Sequence, residues 1–383
     1  MVWPAGRSGL SLPAVNSRGL QVGQSPRRVV LVDLLRLFAT FQMVQGHTLD
    51  AVLDQSVRHG GAFDVWIWTR GLTSVAFLFA AGFSFHLATL ARLDRHLADP
   101  VAVRRRLRRG LLLIVLGYAL HLPVAALGAD PTVARAALSE AVIVDVLQCI
   151  GLSILVLEGL ALLLRKTVRV ITAAALLAVA AIALAPLAAA VEPAGPLTPL
   201  LNYLSPRAGS IFPMLPWAGY VFAGVVAAAV AVPRPGRSTL RPALVLLTGG
   251  VALAVAGLLL AATQGPAALG APAVGPGILK LGVVVTVAGL LGLAARSIAR
   301  LPRALEILAG ETLIIYASHV LFLYGAGWGL AHTVGPTVAL GPAVALAAII
   351  IAASACVGLA WHRLKRVRPA GLRAALARRP RTG

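Results

Sequence analysis

The sequence is poor in charged residues, and poorest in acidic ones. Only 12% of its 383 residues are charged, and 13 Asp and Glu stand against 34 Lys and Arg. Soluble domains carry about 25% charged residues. Hydrophobic residues make up 59% of the chain. So little charge cannot cover the surface of a soluble globular protein, and that class is excluded.

Cysteine is scarce as well. Cys149 and Cys356 both fall inside apolar runs, which excludes a disulfide framework and a cysteine-based metal site. The sequence also lacks an HExxH helix, a Walker A loop, a GxGxxG turn after a strand and a GxSxG elbow. The commonest soluble-enzyme sites are therefore excluded, and we expect no bound metal.

Long apolar runs are the main feature of the sequence. Runs of roughly 18 or more residues recur along the whole chain, and each can cross a hydrocarbon core about 30 Å thick. They are rich in Ala, Leu and Val and do not alternate polar with apolar residues, which favours helices over a membrane barrel. We predict an all-α, polytopic transmembrane helical bundle of about ten helices, near residues 29–49, 65–90, 110–129, 141–164, 168–190, 211–232, 242–263, 276–295, 305–325 and 338–361.

Basic residues alternate between the predicted connections. Clusters of Lys and Arg precede the first span and occupy every second connection, whereas the intervening connections hold only Arg58, Arg135 and Arg207. By the positive-inside rule both termini are cytoplasmic. We predict a cytoplasmic arm over 1–28, preceding an uncleaved signal-anchor, a transmembrane domain over 29–361 and a basic cytoplasmic tail over 362–383. The net charge of +21 then indicates contact with anionic membrane lipid and no nucleic-acid partner.

Polar side chains near the non-cytoplasmic ends of the spans are candidate site residues, because burying ionisable groups in a bilayer is costly. If the spans form a bundle, these residues line one outward-facing cavity. Simpler roles are open too: Arg70 and Lys280 can snorkel to the surface, and Trp66, Trp68 and Trp217 can be interfacial belt residues. The set comprises His47, Asp50, His59, Asp64, Arg70, His121, Asp145, Gln148, Lys280 and His319.

A second polar set lies toward the cytoplasmic ends. Asp33 and Arg36 are three residues apart and share a helix face, where they pair with each other or with a neighbouring helix. Glu158 is a carboxylate inside a span, with Arg165 near enough in sequence to neutralise it. The run RRRLRRG (104–110) indicates topology and lipid contact, or a site for the phosphates of an acidic cofactor.

Five stretches carry a family resemblance. The first, VDLLRLFATFQMVQGHT (32–48), resembles the first-helix signature of membrane acyltransferases, in which an Asp-x-x-Arg pair precedes an apolar run that ends in His or Asn. The others resemble the heparan-alpha-glucosaminide N-acetyltransferase family and its bacterial relatives, within the broader acyltransferase-3-like group. They are, in order, TRGLTSVAFLFAAGFSF (69–85), VDVLQCIGLSIL (144–155), FPMLPWAGYVFAG (212–224) and ETLIIYASHVLFLYG (311–325).

The resemblance implies a multi-pass enzyme that moves an acetyl group from cytoplasmic acetyl-CoA to an amino-sugar or glycan acceptor across the membrane. It assigns the family's catalytic loop histidine to His59 and puts His47 where family members carry an Asn. Under this hypothesis, contacts with the substrate come from Asp50, Asp64, Arg70, Asp145, Gln148 and His319. Contacts with the CoA phosphates come from Arg36, Arg105, Arg106 and Arg109.

Histidine suits this chemistry. Imidazole, with an unperturbed pKa near 6.5, can deprotonate an amine or hydroxyl acceptor, or attack the thioester and form an acyl-imidazole. We assign either role to His59. His47 then orients His59 or donates a hydrogen bond to the thioester carbonyl. Direct transfer and an acyl-histidine intermediate both remain open.

A second hypothesis is a secondary transporter or permease for a polar solute, which also explains ionisable groups inside spans. The sequence shows no inverted repeat to support it. A non-catalytic membrane assembly protein is a third. The Ala-, Leu- and Arg-rich composition indicates a bacterial cytoplasmic membrane. The sequence leaves open whether the chain forms a homodimer.

Overall fold

A computed structural model describes residues 29–121, 130, 142–192, 195–207, 209–231, 239–265, 273–325 and 328–377. Helices make up 82% of the structure, and the described residues contain no strand. The predicted all-α class is therefore confirmed. The arm predicted over 1–28 lies outside the described residues, and the division into arm, transmembrane domain and tail stays a prediction.

Twelve helices carry the argument below. They are α1 Val30–Val52, α2 Gly61–Ala88, α3 Leu93–Leu97, α4 Pro100–Leu120, α5 Val146–Leu164, α6 Thr167–Ala183, α7 Met214–Ala231, α8 Leu240–Gln264, α9 Val274–Ala294, α10 Arg303–Gly310, α11 Thr312–Tyr324 and α12 Leu340–Ala377. Short helices also occur at Ala185–Ala189, Thr198–Leu201 and Leu330–Thr333, and 3-10 turns at Gln55–Val57, Leu90–Arg92 and Gly195–Leu197.

Each of the ten predicted spans overlaps a helix or, for α10 and α11, a helix pair bent by 74°; residues 122–129 of the third span lie outside the described residues. Within the described residues, six helices are long and apolar enough to cross a membrane alone, and the bent pair makes a seventh. The chain is a multi-pass membrane protein. The prediction of about ten spans is untested, because α1 and α4 carry charges and α6 is short. The cytoplasmic location of the termini stays a prediction as well.

Helix α4 begins well before the predicted third span. Its cap is Asp99, whose carboxylate accepts a hydrogen bond from the backbone N–H of Val101 at 2.9 Å, and Pro100 occupies the first turn. An acidic cap followed by proline is a strong helix start. The arginines of the 104–110 run therefore lie on a helix that begins before the predicted third span.

Helices α1 and α2 pair along their length and define the two ends of the bundle. At one end the Arg36 guanidinium donates to the Ser84 hydroxyl at 2.5 Å, close to the arginines at the start of α4; we name this the basic end. At the opposite end Arg70 of α2 forms an ion pair with Asp50 of α1. Leu35, next to Arg36 in α1, is fully buried.

Helices α2 and α7 approach each other so closely that glycine is required at the contact. A Cβ on Gly82 would collide with the carbonyl group of Val221, and a Cβ on Gly224 would collide with that of Phe79. Small residues let transmembrane backbones pack at such short range. This contact fixes α2, and through it α1, against the rest of the bundle.

We predict that Gly82→Ala destabilises the protein by about 1–3 kcal/mol, because the added methyl group meets backbone that cannot move aside. The check is the midpoint of thermal unfolding in detergent. Gly71→Ala is the matched control, since it lies in the same helix and its Cβ would meet open space. Equal midpoints for the two variants would contradict the close contact.

Candidate functional site

The polar residues at the end opposite the basic end come from three helices and from the N-cap of a fourth. Helix α1 contributes His47 and Asp50, α2 contributes Arg70, and α11 contributes His319. Asp145 caps the start of α5. The structure brings these predicted residues to one end of the bundle, and the outward-facing cavity stays a prediction. The side of the membrane that this end faces stays a prediction.

Two histidines meet inside this cluster. The rings of His47 and His319 are 5.3 Å apart, edge to face, and the hydroxyl of Tyr324 donates to the backbone carbonyl of His47 at 3.2 Å. His47 is half-buried, whereas His319 is fully buried. Helix α11 thus packs its polar face directly against the end of α1.

The tautomer of His319 follows from its surroundings. Its Nδ1 lies 3.0 Å from the carbonyl oxygen of Ile315, which can only accept a hydrogen bond, so Nδ1 carries the proton. In the neutral ring Nε2 is then an unprotonated acceptor. That atom is buried and has no hydrogen-bond partner among the described residues. His319 therefore offers a fixed, free lone pair inside the cluster.

Arg70 does not simply snorkel. Its guanidinium pairs with the carboxylate of Asp50 and lies 5.9 Å from the ring centre of Trp66. Gly46 leaves room for the arginine stem, since a Cβ there would lie 3.2 Å from its Cγ. Both charged side chains are only a quarter to a third exposed. The pair places a fixed positive charge one helical turn from His47.

Asp145 and Gln148 both serve the start of α5. Asp145 Oδ1 accepts a hydrogen bond from the N–H of Val146 at 2.7 Å, and Gln148 Oε1 accepts one from the N–H of Asp145 at 3.2 Å. The second carboxylate oxygen, Oδ2, accepts a bond from the hydroxyl of Tyr316 at 2.7 Å and lies 3.6 Å from Nε2 of His121. Asp145 therefore links α5 to α11. Gln148 is fully buried and uses its amide on neighbouring backbone groups.

His59 and Asp64 lie apart from this cluster's buried part. Both are exposed, His59 in the α1–α2 connection and Asp64 in the first turn of α2. The connection is anchored by Arg58, whose guanidinium donates to the carbonyls of Asp50 and Leu53 at the end of α1, at 2.8 Å each. His59 thus follows a fixed residue but itself faces solvent.

A second anchor holds the same connection. The N–H of Asp54 donates to the carbonyl of Val338, and the N–H of Val338 donates to that of Val52, both at 2.9 Å. The hydroxyl and the backbone N–H of Ser56 donate to the Asp54 carboxylate, which lowers the pKa of that carboxyl below its usual value. The backbone before His59 is therefore tied to the segment that precedes α12.

The predicted CoA-contacting arginines are divided by the structure. Arg105 and Arg109 are exposed on α4. Arg106 turns inward and holds its guanidinium 5.5 Å from the ring centre of Phe85. Arg36 contacts Ser84 and lies 3.9 Å from Asp33. Arg105 and Arg109 therefore face outward, whereas Arg36 and Arg106 each contact α2.

The sequence did not predict which side chains contact His47 and Asp145 in the histidine cluster. Tyr316 and Tyr324 lie in the motif of residues 311–325, but nothing in that motif indicates their contacts, since His47 is 277 residues from Tyr324. Within the described ranges no three His, Cys, Asp or Glu side chains are grouped as metal ligands would be. The expectation that no metal is bound remains a prediction.

Comparison with known protein families gives one match. The model of the heparan-alpha-glucosaminide N-acetyltransferase catalytic domain matches residues 28–258, which run from α1 into α8. The match includes His47, His59 and Asp145 but ends before His319. A comparison with curated proteins gives no match.

We predict that Asp50→Asn destabilises the protein by about 1–2 kcal/mol, because Arg70 keeps its charge but loses its partner. The check is again the thermal midpoint in detergent. Asp64→Asn removes an exposed carboxylate close by and should shift stability by no more than about 0.5 kcal/mol. If Asp50→Asn is no less stable than Asp64→Asn, the ion pair contributes nothing to the fold.

Proposed function

The chain belongs to the heparan-alpha-glucosaminide N-acetyltransferase family, and from this membership we propose that it transfers the acetyl group of acetyl-CoA to an amino-sugar or glycan acceptor. The observation that carries the proposal is the family match over residues 28–258. That range contains α1, the α1–α2 connection and the start of α4. The candidate histidines His47 and His59 and the CoA-contacting arginines lie within these segments.

The proposed reaction joins the acceptor to the acetyl carbon and breaks the thioester. The acceptor amine or hydroxyl attacks the carbonyl carbon, the C–S bond breaks, and the thiolate of CoA leaves. One proton leaves the acceptor and ends on the CoA sulfur. His59 accepts that proton and returns it to the thiolate, or it first takes the acetyl group as an acyl-imidazole.

The positions of the two histidines support separate roles. His59 is exposed in a connection whose backbone is tied down just before it, so it can meet an acceptor that arrives from solution. His47, on α1, is half-buried, and its ring packs against His319 of α11. From there it can donate a hydrogen bond to the thioester carbonyl, where negative charge develops in the transition state.

The donor is proposed to bind from the basic end. Its phosphates contact Arg36, Arg105, Arg106 and Arg109, and its acyl arm extends between the helices. Arg36 and His47 are eleven residues apart on α1, which is about 16 Å along the helix axis. The arm must bridge this length to bring the thioester to His47. The acceptor meets it at the opposite end, on the extracytoplasmic side of a bacterial membrane.

The test is transfer by protein purified in detergent. Acetyl-CoA is supplied with a panel of amino sugars and glycans, CoA release is followed by its free thiol, and the acetylated acceptor is identified by mass spectrometry. We expect His59→Ala and His47→Ala each to lower the rate at least about 100-fold, because proton transfer and carbonyl polarisation contribute that much.

His332→Ala is the matched control, because His332 is also exposed, on the short helix that precedes α12. It should leave the rate unchanged. Full activity in the His59→Ala variant would remove His59 from the reaction. If the wild-type protein releases no CoA with any acceptor, the acetyltransferase proposal itself is wrong, and solute uptake into proteoliposomes would then test the permease hypothesis.

A further inference from the structure

The segment between α2 and α4 closes the basic end of the bundle. It runs from Thr89 to Asp99 and contains the 3-10 turn Leu90–Arg92 and the short helix α3. One face of it is buried: Thr89, Leu90, Leu93 and His96 are each less than one-tenth exposed. The other face carries the exposed residues Ala91, Arg92, Asp94 and Arg95. The segment thus covers the bundle as a strap, with a charged outer surface.

Side chains tie the strap to the bundle at two points. Nε2 of His96 lies 2.6 Å from Oε1 of Glu158 on α5, and both residues are buried. The hydroxyl of Thr167, at the start of α6, donates to the carbonyl of Leu90 at 3.2 Å. Because a carboxylate can only accept, His96 donates in this contact. The histidine contact is the charge-assisted tie, and we name it the latch.

At the basic end of the bundle, three polar atoms are buried without partners. Oε2 of Glu158, Nδ1 of His86 and Nε of Arg106 are enclosed and make no hydrogen bond to a described residue. Glu158 itself is fully buried. A buried polar atom without a partner is costly, and lifting the strap would let water or a polar ligand reach all three. This cost offsets part of the stabilisation that the latch provides.

The backbone at both ends of the strap departs from helical geometry. Thr89 and Arg92 have φ/ψ of −122/−63 and −142/42, and Asp99, at the other end, is extended at −111/96. Hinges are usually a few such residues at the ends of elements. Helices α2 and α4 can therefore stay in place while the strap swings.

We propose that the Thr89–Asp99 strap is a gate over the basic end of the bundle, held shut by the latch between His96 and Glu158. When the latch breaks, Glu158, Arg106 and His86 become accessible from the basic end. The gate rests on the strap and its latch. It shares Arg106 with the proposed donor site, so opening would also expose that contact.

The test measures how fast a thiol on the buried face of the strap reacts with a charged maleimide. Leu93→Cys supplies the thiol, in a Cys356→Ser background that removes the exposed native cysteine. Adding His96→Ala or Glu158→Ala should raise the labelling rate at least about tenfold, because either change removes a charge-assisted hydrogen bond. Arg95→Ala, on the exposed face of α3, should leave the rate within about twofold.

Two further readouts keep opening distinct from unfolding. His96→Gln retains an N–H donor at a similar reach and should restore slow labelling. Cys149 is fully buried in α5 and should stay unreactive in every variant. Unchanged labelling in both alanine variants would overturn the gate, and so would labelling of Cys149 in step with the introduced thiol. None of these outcomes depends on whether the chain transfers acetyl groups.

Discussion

The pairing of α1 with α2 is the constraint on which the rest of the structure depends. Helix α1 is about 34 Å long, and a polar contact clamps it to α2 near each end: Arg36 with Ser84, and Asp50 with Arg70. If α1 shifted by one residue against α2, either contact would break and leave a charged group without a partner in an apolar environment. Together they fix both the rotation and the depth of α1. For this reason His47 faces α11, and the α1–α2 connection begins after Val52.

The same clamp separates two chemical environments. One end of the bundle holds the arginines of α1 and α4, and the other holds the paired histidines and their tyrosine partners. Charge inside a bilayer is tolerated where it is paired or reaches water, so a polar group at mid-depth would need its own partner. The described residues place their polar clusters near the helix ends and leave mainly Leu, Ala and Val between them. A reaction that needs a basic donor site and a histidine site must therefore span the bundle.

How far the sequence predicted this structure depends on the range of each interaction. The helices follow from apolar runs, which are local, and every predicted span found a helical counterpart. The third span was predicted to start near 110 because the arginines end the apolar run, whereas Asp99 and Pro100 already start a helix there. The contacts of His47 with His319 and of His96 with Glu158 join distant helices, and no local spacing encodes them. The ordered motifs were enough to identify the family, because its signature is distributed over most of the chain.

The two histidines of the α1 region now differ in a way that bears on chemistry. His59 faces solvent, where an imidazole can exchange its proton with water in each turnover. His47 instead lies beside His319, whose Nδ1 is occupied by a backbone carbonyl and whose free lone pair is on Nε2. An acceptor atom fixed in this place favours a proton donor as its neighbour. That donor is either the ring N–H of His47 or an amine or hydroxyl group of a bound substrate. A buried acceptor beside a half-buried imidazole is thus suited to orient a substrate, while a solvent-facing imidazole is suited to carry protons away.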